Sequence, residues 1–380
     1  MAAPRITPSS SGLTDRRSGL DRGSRGLISG AVFKAARESA DLTQQDLADV
    51  LGADKTTLQA WETGRRPLTS ARAGTLVAVR TELLGLGADP RLLDSFDTAA
   101  QADHILDRLL DGDPTDARHP LAVRVLPQPL AELLAWPLKK SAPQVIAGAR
   151  RPARRGPVSD GPALSPDERR RLVANLRRAA ESPPDAGGRG WLMRRQVAYL
   201  ASFDRTPDTA AWLAHLRASV AWAKSAAQVS ASWAEARSIA IALDRQGDAD
   251  ALARFVAAGR DNDAWEIANL NYWAYWVGET RTIERDDAFM TAGLGRWRGI
   301  TLLDHLTTRI TPDAHDLALN VHTVWSLLLA RRGLLDDDPA VTRALAAGVR
   351  QLLDHSAVPA AVRTEVASIR AALRLAGVAA

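Results

Sequence analysis

The chain contains no cysteine. That excludes a disulfide scaffold, a thiolate metal site and a cysteine nucleophile, and makes a reducing cytoplasm its expected home. Runs of about 18 or more apolar residues are also lacking, so no transmembrane helix is expected. The opening segment, MAAPRITPSSSGLTDRRSGLDRGSRG, has none of the apolar core of a secretory signal. Sustained alternation of apolar and polar residues is missing, which leaves helices as the building blocks.

Catalytic signatures are equally scarce. Histidines 104, 119, 215, 305, 315, 322 and 355 are scattered, and none forms His-Glu-x-x-His or another compact ligand set. His315 and His322 stand seven apart with no carboxylate cluster beside them in the sequence, a poor metal site. There is no phosphate-binding Walker loop and no Gly-x-Ser-x-Gly elbow. Gly293-Leu294-Gly295-Arg296-Trp297-Arg298-Gly299 has the wrong glycine spacing for a dinucleotide loop and no strand before it. A helix break or a close helix approach is expected there. The chain is therefore expected not to be an enzyme and to use no cofactor and no metal.

What is present is enough for two domains: 380 residues, 46% hydrophobic and 24% charged. The net charge of +5 is compatible with nucleic-acid binding without demanding it. Residues 1–26 are rich in Ser, Gly and Arg and lack periodic hydrophobics, so a disordered basic tail is expected. Arg16, Arg17, Arg22 and Arg25 in it either add phosphate or minor-groove contacts or belong to an unattached tail.

Residues 27–110 read as a small all-α domain of five helices. Ile28, Val32, Ala35 and Ala36 recur on one helical face. A second helix starts at Thr43, whose hydroxyl caps it, with Asp46 three residues on and Leu47, Val50 and Leu51 as its buried side. Gly52 makes a turn, Asp54 caps the next helix, and Leu58 and Trp61 anchor that helix from behind. Further helices are expected over 68–84 and 90–109. Residues 111–164 read as a Pro/Arg-rich linker with one short helix at 130–138. From Ser165-Pro166-Asp167-Glu168, a capping box with proline at the first helical position, the chain to 380 reads as all-helical. Helices are expected over about 166–181, 190–203, 207–225, 230–245, 249–257, 262–278, 287–308, 313–332, 339–354 and 358–376. These would form an α-helical bundle or a solenoid similar to tetratricopeptide repeats.

Two short helices around the Gly52 turn, the second with a polar outer face, form the geometry that places a helix in the DNA major groove. Leu47 and Leu51 face the core, and Ala48 stands where the helices approach most closely. Residues 42–64 resemble the helix-turn-helix of phage-repressor-like, Cro-type (XRE family) regulators, and the likeness extends over about 28–84. The resemblance implies a lambda-repressor-like fold and double-stranded DNA as partner. It implies that Lys55, Thr56 and Gln59 read bases, with Ala60 offering a methyl contact. It gives Gln44 a phosphate and the role of bracing the recognition helix, and places Thr57, Arg65 and Arg66 along the backbone. Arg37 and Glu62 match a salt bridge between helices. Leu47, Ala48, Gly52, Leu58 and Trp61 are the structural positions of the motif.

The chemistry of the side chains agrees. Lysine donates to guanine O6 and N7, glutamine bonds adenine N6 and N7, and a threonine methyl meets a thymine methyl. The bland alternative is a solvated helix face used only for packing. Because acidic residues offset the basic ones over 28–84, a homodimer is expected, with the helical region 165–380 serving dimerisation, sensing or partner binding.

Nine tryptophans lie beyond residue 164, with the densest patch at 265–279. Trp265, Asn269, Tyr272 and Trp276 share a helical face, with Trp273 beside it. They form either a ligand pocket with orienting amides or a packed core in which the amides satisfy loop backbone. Similar actinobacterial regulators carry long helical C-terminal regions with such an aromatic segment. The leading expectation is a cytoplasmic, nucleoid-associated transcriptional regulator controlled by a small-molecule or protein effector at the C-terminal domain, with no membrane. The alternative is an interaction scaffold or antitoxin-like regulator whose helical domain holds a protein partner.

Overall fold

The computed structural model describes residues 26–378 apart from 117, 140, 150–160, 182–188, 220–225, 260, 261 and 315. The tail arginines and most of the Arg-rich run 149–157 lie outside these residues, as does His315. Among the described residues the chain is helical throughout and has no strand. No helix among them is long and apolar enough to cross a membrane. The chain divides into two compact units, one drawing on Met1–Asp107 and Glu132–Ala163, the other on Arg108–Ala131 and Leu164–Ala380.

The first unit opens with α1 (Leu27–Ser39), α2 (Gln44–Leu51) and α3 (Lys55–Glu62). It continues through α4 (Ala73–Gly85) and α5 (Pro90–Asp94) into α6 (Phe96–Asp111). Its core sets Ile28, Val32 and Phe33 of α1 against Leu47, Leu58 and Trp61. The Phe33 ring meets Trp61 edge-on at 5.9 Å and Phe96 at 6.2 Å. Helices α1 and α3 cross so closely at Gly30 that a Cβ there would stand 2.3 Å from the Trp61 carbonyl oxygen.

Three local expectations are corrected here. Val50 is 46% exposed and Leu51 half-buried, because the eight-residue α2 turns only Leu47 and Ala48 fully inward. The helix expected over 68–84 is a 3-10 turn (Leu68–Ser70), an extended step at Ala71 and Arg72, and then α4. The Ser70 hydroxyl donates to the Pro67 carbonyl, a local bond that competes with helix continuation. The helix expected over 90–109 is interrupted at Ser95, whose hydroxyl likewise donates back to Arg91.

The stretch read as a linker holds α7 (Pro120–Val123), α8 (Gln128–Ala135) and α9 (Gln144–Ala147), with Leu121, Val125, Leu130 and Leu133 buried. Its residues contribute to both compact units. Gln196 bonds the backbone of Leu121, Arg124 and Leu126, and the Tyr275 hydroxyl donates to the Val125 carbonyl at 2.8 Å. Proline-rich sequence here marks short helices tied down by distant side chains.

The second unit contains α10 (Pro166–Glu181), α11 (Arg189–Ala201), α12 (Pro207–Ser219), α13 (Ala226–Arg245) and α14 (Ala249–Gly259). Then come α15 (Asp263–Trp276), α16 (Ile300–Thr307), α17 (Leu317–Ala330), α18 (Leu334–Asp337), α19 (Pro339–Asp354) and α20 (Ala360–Leu375). Helices adjacent in sequence pack together, α10 on α11, α13 on α14 and α19 on α20, while α15 and α20 both pack on α17. The capping box at Ser165 forms, with Glu168 accepting from the Ser165 backbone at 2.9 Å.

A helix over 287–308 does not form. A 3-10 turn (Asp287–Thr291) and an irregular segment precede α16, and Gly299 at its start holds φ 97°. That value is in the left-handed region that favours glycine. The helix expected over 313–332 starts later: Pro312 and Asp313 lie in a turn, and α17 begins at Leu317.

The aromatic segment is core. Trp265, Tyr272 and Trp273 are buried, and Trp265 stacks on Phe255 at 5.7 Å. Asn269 donates to the Thr323 hydroxyl at 3.0 Å. Asn271 donates to the carbonyls of Met290 and Gly293 and accepts from the Trp297 indole. Trp276 is half-buried and stacks on Tyr272. The buried Arg195 closes a bidentate pair with Asp287 at 2.6–3.1 Å.

Candidate nucleic-acid interface

The α2–α3 pair is built from a few local interactions. Thr43 and Asp46 form a reciprocal capping box that fixes the start of α2: the Asp46 backbone donates to the Thr43 hydroxyl at 3.1 Å, and the Thr43 backbone donates to the Asp46 carboxylate at 2.8 Å. Hydrogen bonding from the Thr43 side chain and backbone holds the Asp46 carboxyl below its usual range. Gly52 ends α2 at φ 59°. There the left-handed backbone lets its own N–H and that of Ala53 return to the last carbonyls of the helix. Asp54 stands at the cap position of α3, but its carboxylate accepts no capping bond, contrary to expectation; its carbonyl accepts the first helical bonds instead.

Leu58 and Trp61 turn inward, as do Leu47 and Ala48 across the turn. Lys55, Thr56 and Gln59 are exposed along one side of α3, Thr57 is half-buried, and Arg65 and Arg66 are exposed just beyond it. Ala60 is not on that surface. It is buried, so the methyl contact suggested for it is not available.

Behind the exposed row runs a chain of polar contacts. Arg37 on α1 donates through Nε to Glu62 Oε1 at 2.5 Å and through a second nitrogen to Oε2 at 3.3 Å. Gln44 Nε2 donates to Glu62 Oε2 at 2.7 Å, and Gln44 Oε1 accepts from Gln59 Nε2 at 3.3 Å. Arg37 also donates to the Leu42 carbonyl, which fixes the entry to α2. The charged pair is buried and its oxygens are satisfied, so its desolvation is offset. Gln59, by contrast, is held from one side and free on the other to meet a ligand.

One supporting residue escapes the motif. Asp103 on α6 is buried, and its carboxylate accepts from the backbone N–H groups of Ile28 at 2.7 Å and Ser29 at 2.9 Å. It satisfies donors at the start of α1, where Gly26 has no side chain to do so. Burial raises its pKa to about 6, against the opposing pull of the bonds from Ser29 and Ile28. Its signal in the sequence was a carboxylate on the apolar face of α6, between Ala99, Ala102 and Leu106.

Histidine 322 lies elsewhere, in the second unit, between two carboxylates that sequence distance concealed: Glu266 Oε1 at 2.6 Å from Nε2 and Glu365 Oε1 at 2.9 Å from Nδ1. Both ring nitrogens are thereby engaged. Among the described residues no three His, Asp or Glu side chains converge in a metal-holding arrangement.

The α2–α3 pair thus presents Lys55, Thr56, Gln59, Arg65 and Arg66 together as exposed polar and cationic side chains. Comparison with known proteins gives one positive result. No curated protein and no solved structure matches the chain. Residues 30–96 match a family model described as a helix-turn-helix domain, and this unit of the chain carries that domain.

Proposed function

We propose that this chain is a sequence-specific transcriptional regulator of the Cro-type (XRE) class that works by equilibrium binding in the cytoplasm, on the nucleoid. Helix α3 enters the major groove, with Lys55, Thr56 and Gln59 at base edges. Gln44, Thr57, Arg65 and Arg66 contact phosphates, which supply salt-dependent affinity but no sequence discrimination. The observation that carries the reading is the exposed row Lys55, Thr56, Gln59 beside the buried Arg37–Glu62 pair, to which the half-buried Gln44 ties it. Such a brace keeps α3 at a fixed angle, which base recognition requires and a solvated packing helix does not.

The regulator acts as a homodimer. Helix α4 leaves Val77 64% and Leu84 54% exposed, two turns apart on one face, which suits a second copy of the chain. Two α3 helices would then meet half-sites roughly 34–36 Å apart. The helical C-terminal region supplies control by binding an effector. Footprinting on a selected operator tests the reading: Lys55→Ala and Gln59→Ala each weaken specific binding, and footprints unchanged in both remove α3 from the interface.

A further inference from the structure

Arg237 on α13 is 5% exposed, and its Nε has no hydrogen-bond partner. Its guanidinium lies over the rings of Tyr272 and Trp273, 4.3 and 4.9 Å from their centres. Tyr272 also bonds it, but a phenol brings no charge, and Asp316 attracts it only from beyond ion-pair distance. The buried carboxylates around it are engaged elsewhere, Asp287 with Arg195 and Glu235 with Arg194. Among the described residues no carboxylate pairs with Arg237. Burial lowers its pKa, and the neighbouring Arg195 charge acts in the same direction. Arginine nonetheless keeps its proton in proteins, so the charge stays in the core. Ring faces offset part of the cost of burying it, and a counter-ion offsets the rest.

A cavity of about 30 Å³ lies beside this group within the second unit, where α13 packs on both α11 and α15. Arg237, Arg195, Ser238, Tyr272 and Trp276 line it, and none of its described lining residues is acidic. Gln196 lines it too, but its amide is spent on the backbone of Leu121, Arg124 and Leu126. The space exceeds the roughly 10–15 Å³ that admits one water-sized particle. It is too small for a phosphate or for an organic acid.

We propose that a chloride ion occupies this cavity as the counter-ion of Arg237 in the core of the second unit. Arg237 supplies the charge, the Ser238 hydroxyl a further donor, and Tyr272 and Trp276 the side walls. A water molecule would fill the space but leave the guanidinium charge unanswered. The site is measured without DNA, so its failure and a failure of operator binding are told apart.

The test is thermal unfolding of the full chain in sodium gluconate as sodium chloride replaces it at constant ionic strength, gluconate being too large to enter. The midpoint should rise with chloride and saturate, because a ligand held only by the folded chain stabilises it. Arg237→Met should weaken the apparent chloride affinity about tenfold or more. Native crystals soaked in bromide give a readout that does not depend on the variant folding, and an anomalous peak is expected in the cavity beside Arg237. A midpoint indifferent to chloride, a chloride response unchanged in Arg237→Met, or a cavity that holds water and no bromide would overturn the proposal. So would a bromide peak without chloride-linked stabilisation, which marks an adventitious ion only.

Discussion

Gln44 and Glu62, eighteen positions apart, are joined by a 2.7 Å hydrogen bond that links the first turn of α2 to the last turn of α3. Glu62 faces Arg37 on its other side, and Gln44 passes the contact on to Gln59. The angle between the two helices is therefore fixed by polar contacts at one end and by Leu47, Ala48, Leu58 and Trp61 packing along the rest.

Breaking the buried end of this chain should loosen the whole motif. Arg37→Met leaves Glu62 a buried, uncompensated charge, a change that typically costs about 3–5 kcal/mol. Hydrogen exchange should show lost protection of α1, α2 and α3 amides, while α10–α20 keep theirs. Unchanged protection in α3 would show that the pair does not brace it.

The crossing of α1 and α3 gives a steric test. In Gly30→Ala the new methyl meets the Trp61 and Glu62 carbonyls, so the helices must separate, at an expected cost of about 1–3 kcal/mol. Chemical denaturation should show the first unit melting earlier. A variant as stable as the native chain would mean the crossing is looser than described.

The His322 clamp predicts a pH dependence. Burial disfavours the charged ring, but the hydrogen bonds and charges of Glu266 and Glu365 outweigh it and raise the pKa from 6.5 to about 9. Because the folded value lies above the unfolded one, this contribution is fully present below about pH 6.5 and is lost as pH rises through about 9. Its size is on the order of 3 kcal/mol. The groups facing the ring are Glu266 on α15, Glu365 on α20 and, farther out, Asp263. Proton NMR of the imidazole should titrate near pH 9, and the stability difference between native and His322→Gln chains should shrink from pH 6.5 to 9.5. A midpoint near 6.5 would contradict the clamp.

The dimer reading turns on α4. Val77→Asp puts a charge on the exposed apolar face without touching the buried Val79 and Leu83. Sedimentation should show a native dimer shifting to monomer, with weaker binding to a two-half-site operator. A native chain that sediments as a monomer at micromolar concentration would remove the dimer from the account.

Much of this architecture was legible because its determinants are local. Helix boundaries in the second unit follow apolar periodicity and caps such as Ser165–Glu168, and the α2–α3 turn follows Thr43, Asp46 and Gly52. The breaks near Ser70 and Ser95 rest on local side-chain bonds to the backbone, whereas in the other misses the deciding partner is remote in sequence. Asp103 serves α1 from 75 residues away, Gln196 orders the proline-rich segment near Leu126, and Glu266, His322 and Glu365 meet only when α15, α17 and α20 pack. Asn271 shows the same limit: an amide in an aromatic run reads equally well as a ligand contact and as an anchor for the 290–297 loop, and only packing separates the two.

The central claim is that α3 reads DNA bases, and the most direct measurement is selection of bound sequences from a random double-stranded pool by the native chain and by a Lys55→Ala/Gln59→Ala chain. The account predicts that the native chain recovers a palindrome with half-sites one helical turn apart. The variant, with its α1–α3 amide protection intact, should lose preference at the positions those side chains contact, at about 1–3 kcal/mol per contact. Recovery of the same motif with the same selectivity by both chains, or of no motif by the native chain, would contradict it.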